Sequence, residues 1–370
     1  MPGKLRIAYF AHTLRSDWNN GNAHFLRGLM RALGRQGHDV TVFEPSTEWS
    51  IENLLAEDLG RHSLDTFART YPDIKVASYS ASDTEDIWQE RLRGYDFVLL
   101  HEWNSSCLAH LLLKLRDANG YKLLFHDTHH RASSSPESFS ILQLDRFDGV
   151  LAFGEALRSI YRECFGVEHV WTLHEAADTS VFRPLTGVAA GPQIIWIGNW
   201  GDGERSTEIR DYLLTPAASL APEFRTCIYG VRYPEDALNQ LAAHEVEYGG
   251  YLPNLDAPCV YASAELTVHI PRQQYTNAMQ GIPTIRVFEA LACGIPLVSA
   301  PWRDVEGLFR PGDFYMASSP ADMLSAMSEL LHNPDVAAEQ AGRGLQTVLA
   351  RHTCEHRAEQ LSDIFEEISA

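Results

Sequence analysis

The chain has 370 residues, with 49 acidic against 30 basic side chains, a formal charge of −19 and 45% hydrophobic residues. That length is long for one domain and comfortable for two, and the apolar share is that of a globular protein with a sizeable core. The acidic balance argues against a nucleic-acid binder and against stable docking on anionic lipid, both of which need basic surface.

In chain order, Leu5–Phe10 reads as a first strand, with no signal-peptide pattern ahead of it. Asn20–Gly34 carries helical periodicity, Gly37-His38 closes that helix, and Asp39–Phe43 is a second strand. Further strands are expected at Asp96–Leu100, Tyr121–Phe125 and Gly149–Phe153, with helices between them. Such alternation predicts a doubly wound parallel sheet that binds ligands at the carboxyl ends of its strands. After Asp178–Pro184, the small and uncharged Leu185–Pro192 suits a domain linker. A second alternation runs through Gln193–Gly198, Arg225–Tyr229, Glu265–Ile270 and Pro296–Ser299, and residues 334–370 look wholly helical and acidic. The expected domains are 1–184, 185–345 and a C-terminal helix, 346–370, packing back toward the first. Two such domains face each other across a cleft. Six scattered cysteines with no Cys-x-x-Cys fit reduced thiols in the cytoplasm, and no apolar run approaches the ~20 residues that span a bilayer.

The richest stretch is Arg286–Ser299, a short helix, a glycine stop and a buried strand. Thr284 is a good N-cap residue and Gly294 suits the left-handed position past the helix end. A helix starting at a strand end offers unpaired N–H groups to a phosphate, here from Thr284, Ile285 and Arg286. Glu289 interrupts an apolar helix face, and a carboxylate buried among Val287, Phe288, Ala290 and Leu291 is costly without a partner. An acid one turn in suits the vicinal hydroxyls of a ribose; the plain alternative is a solvated helix acid.

Four other segments carry candidate chemistry. Ile197–Ser206 follows a strand, has glycines at 198, 201 and 203, and offers Arg205 as a bidentate phosphate donor, unless Arg205 merely pairs with Glu204 or Glu208. In Leu100–Ser105, His101 stands at a strand end with an ordinary pKa near neutrality, which suits a proton shuttle or a structural histidine. Phe125–Arg131 holds three histidines and an aspartate; His126-x-x-His129 is poor zinc spacing, and His126 and Asp127 suit a cleft-lining strand end better. Asn20, Gly21 and Asn22 lie between the first strand and first helix without forming Gly-x-Gly-x-x-Gly, and Glu44 is the nearest thing to a ribose acid there. His174–Asp178 reads as a hinge, with Asp178 in an Asx turn.

These residues resemble a GT-B-fold glycosyltransferase, close to the CgeB-like group and related to the family-four retaining enzymes, most specifically over Ile282–Ser299, Trp196–Ser206 and Val98–Ser105. The resemblance implies an α/β protein of two Rossmann-like domains that moves a hexose-type sugar from a nucleotide-diphosphate donor to a hydroxyl acceptor, without metal and with retention. It implies Glu289 on the donor ribose, Arg205 as the second of two basic diphosphate residues, and Asn199 in place of the first, with Arg286 near enough to restore the charge. Gly198, Ile285 and Thr284 complete the donor side, His101 faces the reacting sugar, and Asn20–Asn22 approach phosphates and acceptor. The family's usual first glutamate, eight positions before the second, is replaced by Gly281; Asn277, Gln280 or the Gly281 backbone would have to serve. With no Asp-x-Asp, the diphosphate is expected to rely on amides and arginines. Two rivals stay open: a nucleotide-sugar 2-epimerase, which needs a carboxylate pair near the sugar, and an inactive binding protein, which Gly281 favours.

Overall fold

The computed structural model describes residues 3–201 and 203–369. Seven parallel strands form a first sheet: β1 (Arg6–Phe10), β2 (Asp39–Pro45), β3 (Lys75–Tyr79), β4 (Phe97–His101), β5 (Lys122–Asp127), β6 (Gly149–Ala152) and β7 (Val170–Thr172). Six more form a second: β8 (Ile194–Ile197), β9 (Thr226–Tyr229), β10 (Val246–Gly250), β11 (Leu266–His269), β12 (Leu297–Ser299) and β13 (Tyr315–Met316). The orders are β3-β2-β1-β4-β5-β6-β7 and β10-β9-β8-β11-β12-β13. Each sheet starts in the middle, steps outward one way, then crosses to the other side. That leaves a crevice at a switch point, between β1 and β4 and again between β8 and β11. The architecture is the expected pair of Rossmann-like parallel sheets.

Inner strands are apolar without alternation, because helices cover both sheet faces. Phe97–Leu100 is buried throughout and pairs Ile7 with Phe97 and Phe10 with Leu100. Every inner strand was expected from its apolar run; β3, β7, β10 and β13 were not.

Helix Ala23–Arg35 lies under the C-terminal helix Cys354–Ser369. Their approach needs Gly28, where a Cβ would fall 2.5 Å from Cys354 Sγ and 2.6 Å from Asp178 Cβ. Phe365 packs its ring 4.1 Å from that of Phe97, so the end of the chain contributes to the first sheet's core. The acidic tail is not one helix: Pro334–Arg351 and Cys354–Ser369 break at His352-Thr353, where Thr353 bridges to Ala177. Asp178 accepts from the Ser180 N–H at 3.1 Å, the expected Asx turn, and from the Tyr71 hydroxyl at 2.9 Å. Among the described residues no helix is long and apolar enough to cross a membrane.

Helix Ile285–Cys293 has Thr284 at its N-cap and Gly294 in the left-handed conformation, φ 68°. Thr284 does not cap with its side chain. Its hydroxyl lies 3.1 Å from His269 Nε2, so no side chain covers the first helical amides.

Candidate functional site

The carboxyl ends of both sheets face a cleft of about 670 Å³. From the first sheet come His12, the loop 17–22, Trp103 and Thr128–Arg131. The second contributes Gly198, Asn199, Arg205, Gly230–Arg232, Arg272, Tyr275 and Thr284–Arg286.

The second wall is built around arginines. Arg205 is buried under the Trp196 ring, donates to the carbonyls of Ile270 (3.1 Å) and Asn199 (2.6 Å), and leaves its buried Nε without a partner. Burial, helped by Arg272, pulls its pKa down to about 9, so the guanidinium keeps its charge near neutrality. Arg272 pairs with Glu204, which answers the alternative that Arg205 is the partner of that acid. Asn199 spans the walls: its amide donates to Asn19 Oδ1 at 2.5 Å while its oxygen accepts from the Val231 N–H at 3.0 Å. Asp202 of the glycine loop lies outside the described residues.

Glu289 sits one layer beneath this wall, with no exposed surface. It is not a solvated helix acid. Asn254 donates to Oε1 at 3.1 Å, His24 Nδ1 stands 2.9 Å from the same oxygen, and Arg286, which does line the cleft, pairs with Oε2. Burial alone would push the carboxyl up; the Arg286 and His24 charges outweigh it and hold it below the usual range. Asn277 is exposed at the end of helix Gln273–Asn277 and does not reach the cleft.

On the first wall, Asn20, Gly21 and Asn22 line the cleft opposite the helix start: a Cβ on Gly21 would sit 3.6 Å from Ile285 Cγ2. Asn22 donates to the Thr128 carbonyl at 3.1 Å, tying this loop to the end of β5. The histidine expected to face the reacting sugar, His101, lies behind that surface. It is buried, 3.0 Å from Thr128 Oγ1, with its ring stacked against His12, which occupies the front position. Burial holds His101 well below the ordinary histidine pKa, pulls His126 down to about 3 and, with Arg131, pulls His12 down to about 4. All three rings are therefore neutral near pH 7. His126 pairs with the Tyr9 hydroxyl at 2.8 Å, behind the cleft surface. Asp127 is also buried, accepts from the Tyr161 hydroxyl (2.5 Å) and the His129 N–H (2.9 Å), and is pushed up to about 6 by burial. His130 turns to Ser134 at 2.9 Å, so this cluster has separate partners. Among the described residues no three His, Cys, Asp or Glu side chains are grouped to hold a metal ion.

Gly281 has φ 98°, and a Cβ there would lie 2.8 Å from Val305 Cγ2 and 2.9 Å from Glu306 Cγ. No glutamate fits that position as folded. Sequence reasoning passed over several cleft residues: His12, Arg131 (stacked 3.9 Å over Trp103), Glu175, Arg272 and Tyr275. His12 had a usable signal, a titratable residue just past a strand's carboxyl end. The others come from loops that only the fold brings together.

Comparison with known proteins agrees with this architecture. Residues 19–181 match Glycosyltransferase Family 4 and residues 208–363 match a glycosyl transferase-like family. Among solved structures, Anabaena HepE in complex with UDP and glucose superposes with a TM-score of 0.71 at 13% identity, over 98% of this chain and 100% of that one. Sucrose-phosphate synthase from Thermosynechococcus elongatus gives 0.65 at 12% identity over 99% of both chains. An alpha-glucosyltransferase bound to UDP and a 13-mer DNA gives 0.71 at 11% identity, over 98% of this chain and 100% of that one. No curated protein matches the chain. The two parts of the chain thus each match a glycosyltransferase family model, and the whole has the two-domain GT-B fold.

Proposed function

We propose that the protein moves a sugar from a nucleoside-diphosphate donor to a hydroxyl acceptor, with retention and without a metal ion. The observation that carries this is the division of the cleft. Arg205, Arg272 and Arg286 and the open amides before Ile285 stand on one side; neutral histidines and the asparagine loop 19–22 stand on the other. Arginines and helix-start amides are suited to a diphosphate, whose negative charge grows as the glycosidic bond breaks.

In this reading the nucleotide lies on the second sheet's edge. Arg286 turns from Glu289 toward the diphosphate, which frees an oxygen of Glu289 for the ribose hydroxyls. HepE, bound to UDP and glucose in a structure of the same fold, supports a uridine donor as the first to try. The acceptor lies against Asn20, Asn22, His12 and Trp103.

The bases at hand support retention. An inverting enzyme needs a side chain that takes the acceptor's proton. His12 is neutral and weakly basic. Asp17 already accepts from Ser63, Tyr251 and Asn254, Glu204 is paired with Arg272 and Gln274, Glu48 accepts from the Ser50 N–H, and burial keeps Glu175 protonated well above the usual carboxyl range. The departing phosphate oxygen, beside the acceptor hydroxyl on the same face of the sugar, is the better base. Closure over the cleft would exclude water and limit hydrolysis of the donor.

Incubating the protein with UDP-, GDP- and TDP-sugars and a set of glycan and small-molecule acceptors tests the reading. Release of nucleotide that depends on acceptor, undiminished by EDTA, with the donor's anomeric configuration kept in the product by NMR, is the expected result. Inverted product would overturn retention, and loss of turnover with EDTA would overturn the metal-free assignment.

A further inference from the structure

One corner of the cleft is lined by two largely buried polar residues that have no side-chain partner in the protein. Glu175 lies where the chain passes from the first sheet to the second and is 3% exposed. Its backbone is clamped: Arg357 donates to the carbonyl of His174 (2.8 Å) and reaches that of Glu175 (3.5 Å), His174 Nε2 stands 3.0 Å from Glu306 Oε2, and Ala177 bridges to Thr353. Its side chain faces the cleft together with Phe153 and Tyr275. Among the described residues no protein group hydrogen-bonds the Glu175 carboxyl or the hydroxyl of Tyr275, which is 7% exposed, and both line the cleft. Both residues are largely buried, yet their polar atoms open on the cleft instead of on a protein partner, so a ligand lying there can supply the partners.

The corner adjoins Arg272 and Arg286, where the donor's diphosphate is placed, and the ring of Phe153 offers an apolar surface to a pyranose face. Gly281, where no side chain fits, supplies no such contact. We propose that Glu175 and Tyr275 bind hydroxyl groups of the transferred sugar and thereby set which sugar the enzyme accepts. The assignment rests on the transferase reading above. Burial, with Glu289 nearby, keeps Glu175 protonated well above the usual carboxyl range, so it both donates and accepts, as a sugar hydroxyl requires.

Calorimetric titration of the full chain with UDP-glucose, GDP-mannose and TDP-glucose, each beside its free nucleotide, tests this. For whichever pair the wild type binds, Glu175→Ala should weaken the sugar nucleotide about tenfold and Tyr275→Phe about fivefold, with free-nucleotide affinity within about twofold of wild type. Glu175→Gln, which keeps one donor and one acceptor, should bind the sugar nucleotide within about threefold of wild type. The proposal is overturned if the variants weaken nucleotide and sugar nucleotide equally, if neither changes, or if only the acceptor's KM moves. Should Glu175→Ala not fold, Tyr275→Phe and Glu175→Gln decide by the same criteria. A wild type that binds none of the six ligands would instead overturn the transferase reading itself.

Discussion

The two walls of the cleft solve different electrostatic problems with the same strand order. On the second sheet's side the functional groups are permanently charged: Arg205, Arg272 and Arg286, with Glu204 and Glu289 as their counter-ions. On the first sheet's side the histidines at the strand ends are neutral, with His12, His101 and His126 all far below the ordinary pKa, and Arg131 stands beside them. Fixed positive charge suits a diphosphate leaving group; neutral, hydrogen-bonding rings suit an uncharged hydroxyl acceptor. Equivalent folds diverge through which loops carry charge.

The comparison breaks most visibly if the arginine wall is not where turnover is decided. Arg205→Ala should lower kcat/KM about 100-fold, because a buried charge-assisted contact to the developing diphosphate would be lost. Since Arg205 also donates to the Ile270 and Asn199 carbonyls, a thermal melt of the same variant must accompany the kinetics. A fully active, folded variant would move the phosphate site elsewhere.

Acid separates the walls next. Among the described residues burial holds eight histidines below their ordinary pKa: His12, His38, His101, His126, His129, His130, His269 and His352. Such a histidine is neutral when folded and binds a proton only when unfolded. Its contribution is complete above pH 6.5 or so and is lost as pH falls toward the folded value, about 4 for His12 and about 3 for His126. Glu48, Glu102, Asp127 and Glu175, pushed up by burial, act in the opposite sense but are fewer. Stability should therefore fall by about 2 kcal/mol or more between pH 7 and pH 5. Hydrogen exchange at pH 5 should show the ends of β1, β4 and β5 opening before β8 and β11, since most of these histidines belong to the first half. Uniform loss of protection would remove the asymmetry.

Glu289 tests how the charged wall is held. Glu289→Gln keeps the shape and the Asn254 and His24 contacts but gives up the ion pair with Arg286; nucleotide affinity should drop about tenfold with the fold retained. Glu289→Ala should unfold more easily, by about 3 kcal/mol, because Arg286 would lose its counter-charge and Asn254 and His24 their buried partner. Equal nucleotide binding by wild type and Glu289→Gln would confine this residue to structure.

What could be read from the sequence follows the same physics. The nine inner strands were legible because burial on both faces demands a continuous apolar run, as in Phe97–Leu100. The four strands that escaped, β3, β7, β10 and β13, are the four sheet edges. There one side is open, and β10, Val246–Gly250, buries only its first residue fully. The helix from Ile285 to Gly294 could be placed from its cap and stop alone, and Glu289 was conspicuous as an acid in an apolar face. Its partners could not be seen. Asn254 reaches it from a short turn and His24 from helix Ala23–Arg35 of the first half, and no local pattern encodes that meeting. Glu175 was hidden for the same reason: its segment looks like a hinge, and only the clamp by Arg357 turns its side chain into the cleft.

The smallest expected effect carries the sharpest mechanistic decision. His12 lies at the cleft surface, in front of His101, where an inverting enzyme would place its base. A general base contributes about 10²–10⁴ in rate, and its loss removes the acidic limb of the pH profile. His12 is pulled down to about 4 by burial and by Arg131, so it is a poor base at neutral pH, and in the proposed reading its neutral ring only hydrogen-bonds the acceptor. His12→Asn, which keeps a donor and an acceptor, should therefore change kcat by about threefold or less, with most of the change in the acceptor's KM and the profile above pH 6 unaltered. A loss of 100-fold or more that also abolished the acidic limb would put the base on the protein. The two walls would then no longer divide into a charged donor side and a neutral acceptor side, and the stereochemical assignment would fall with that division.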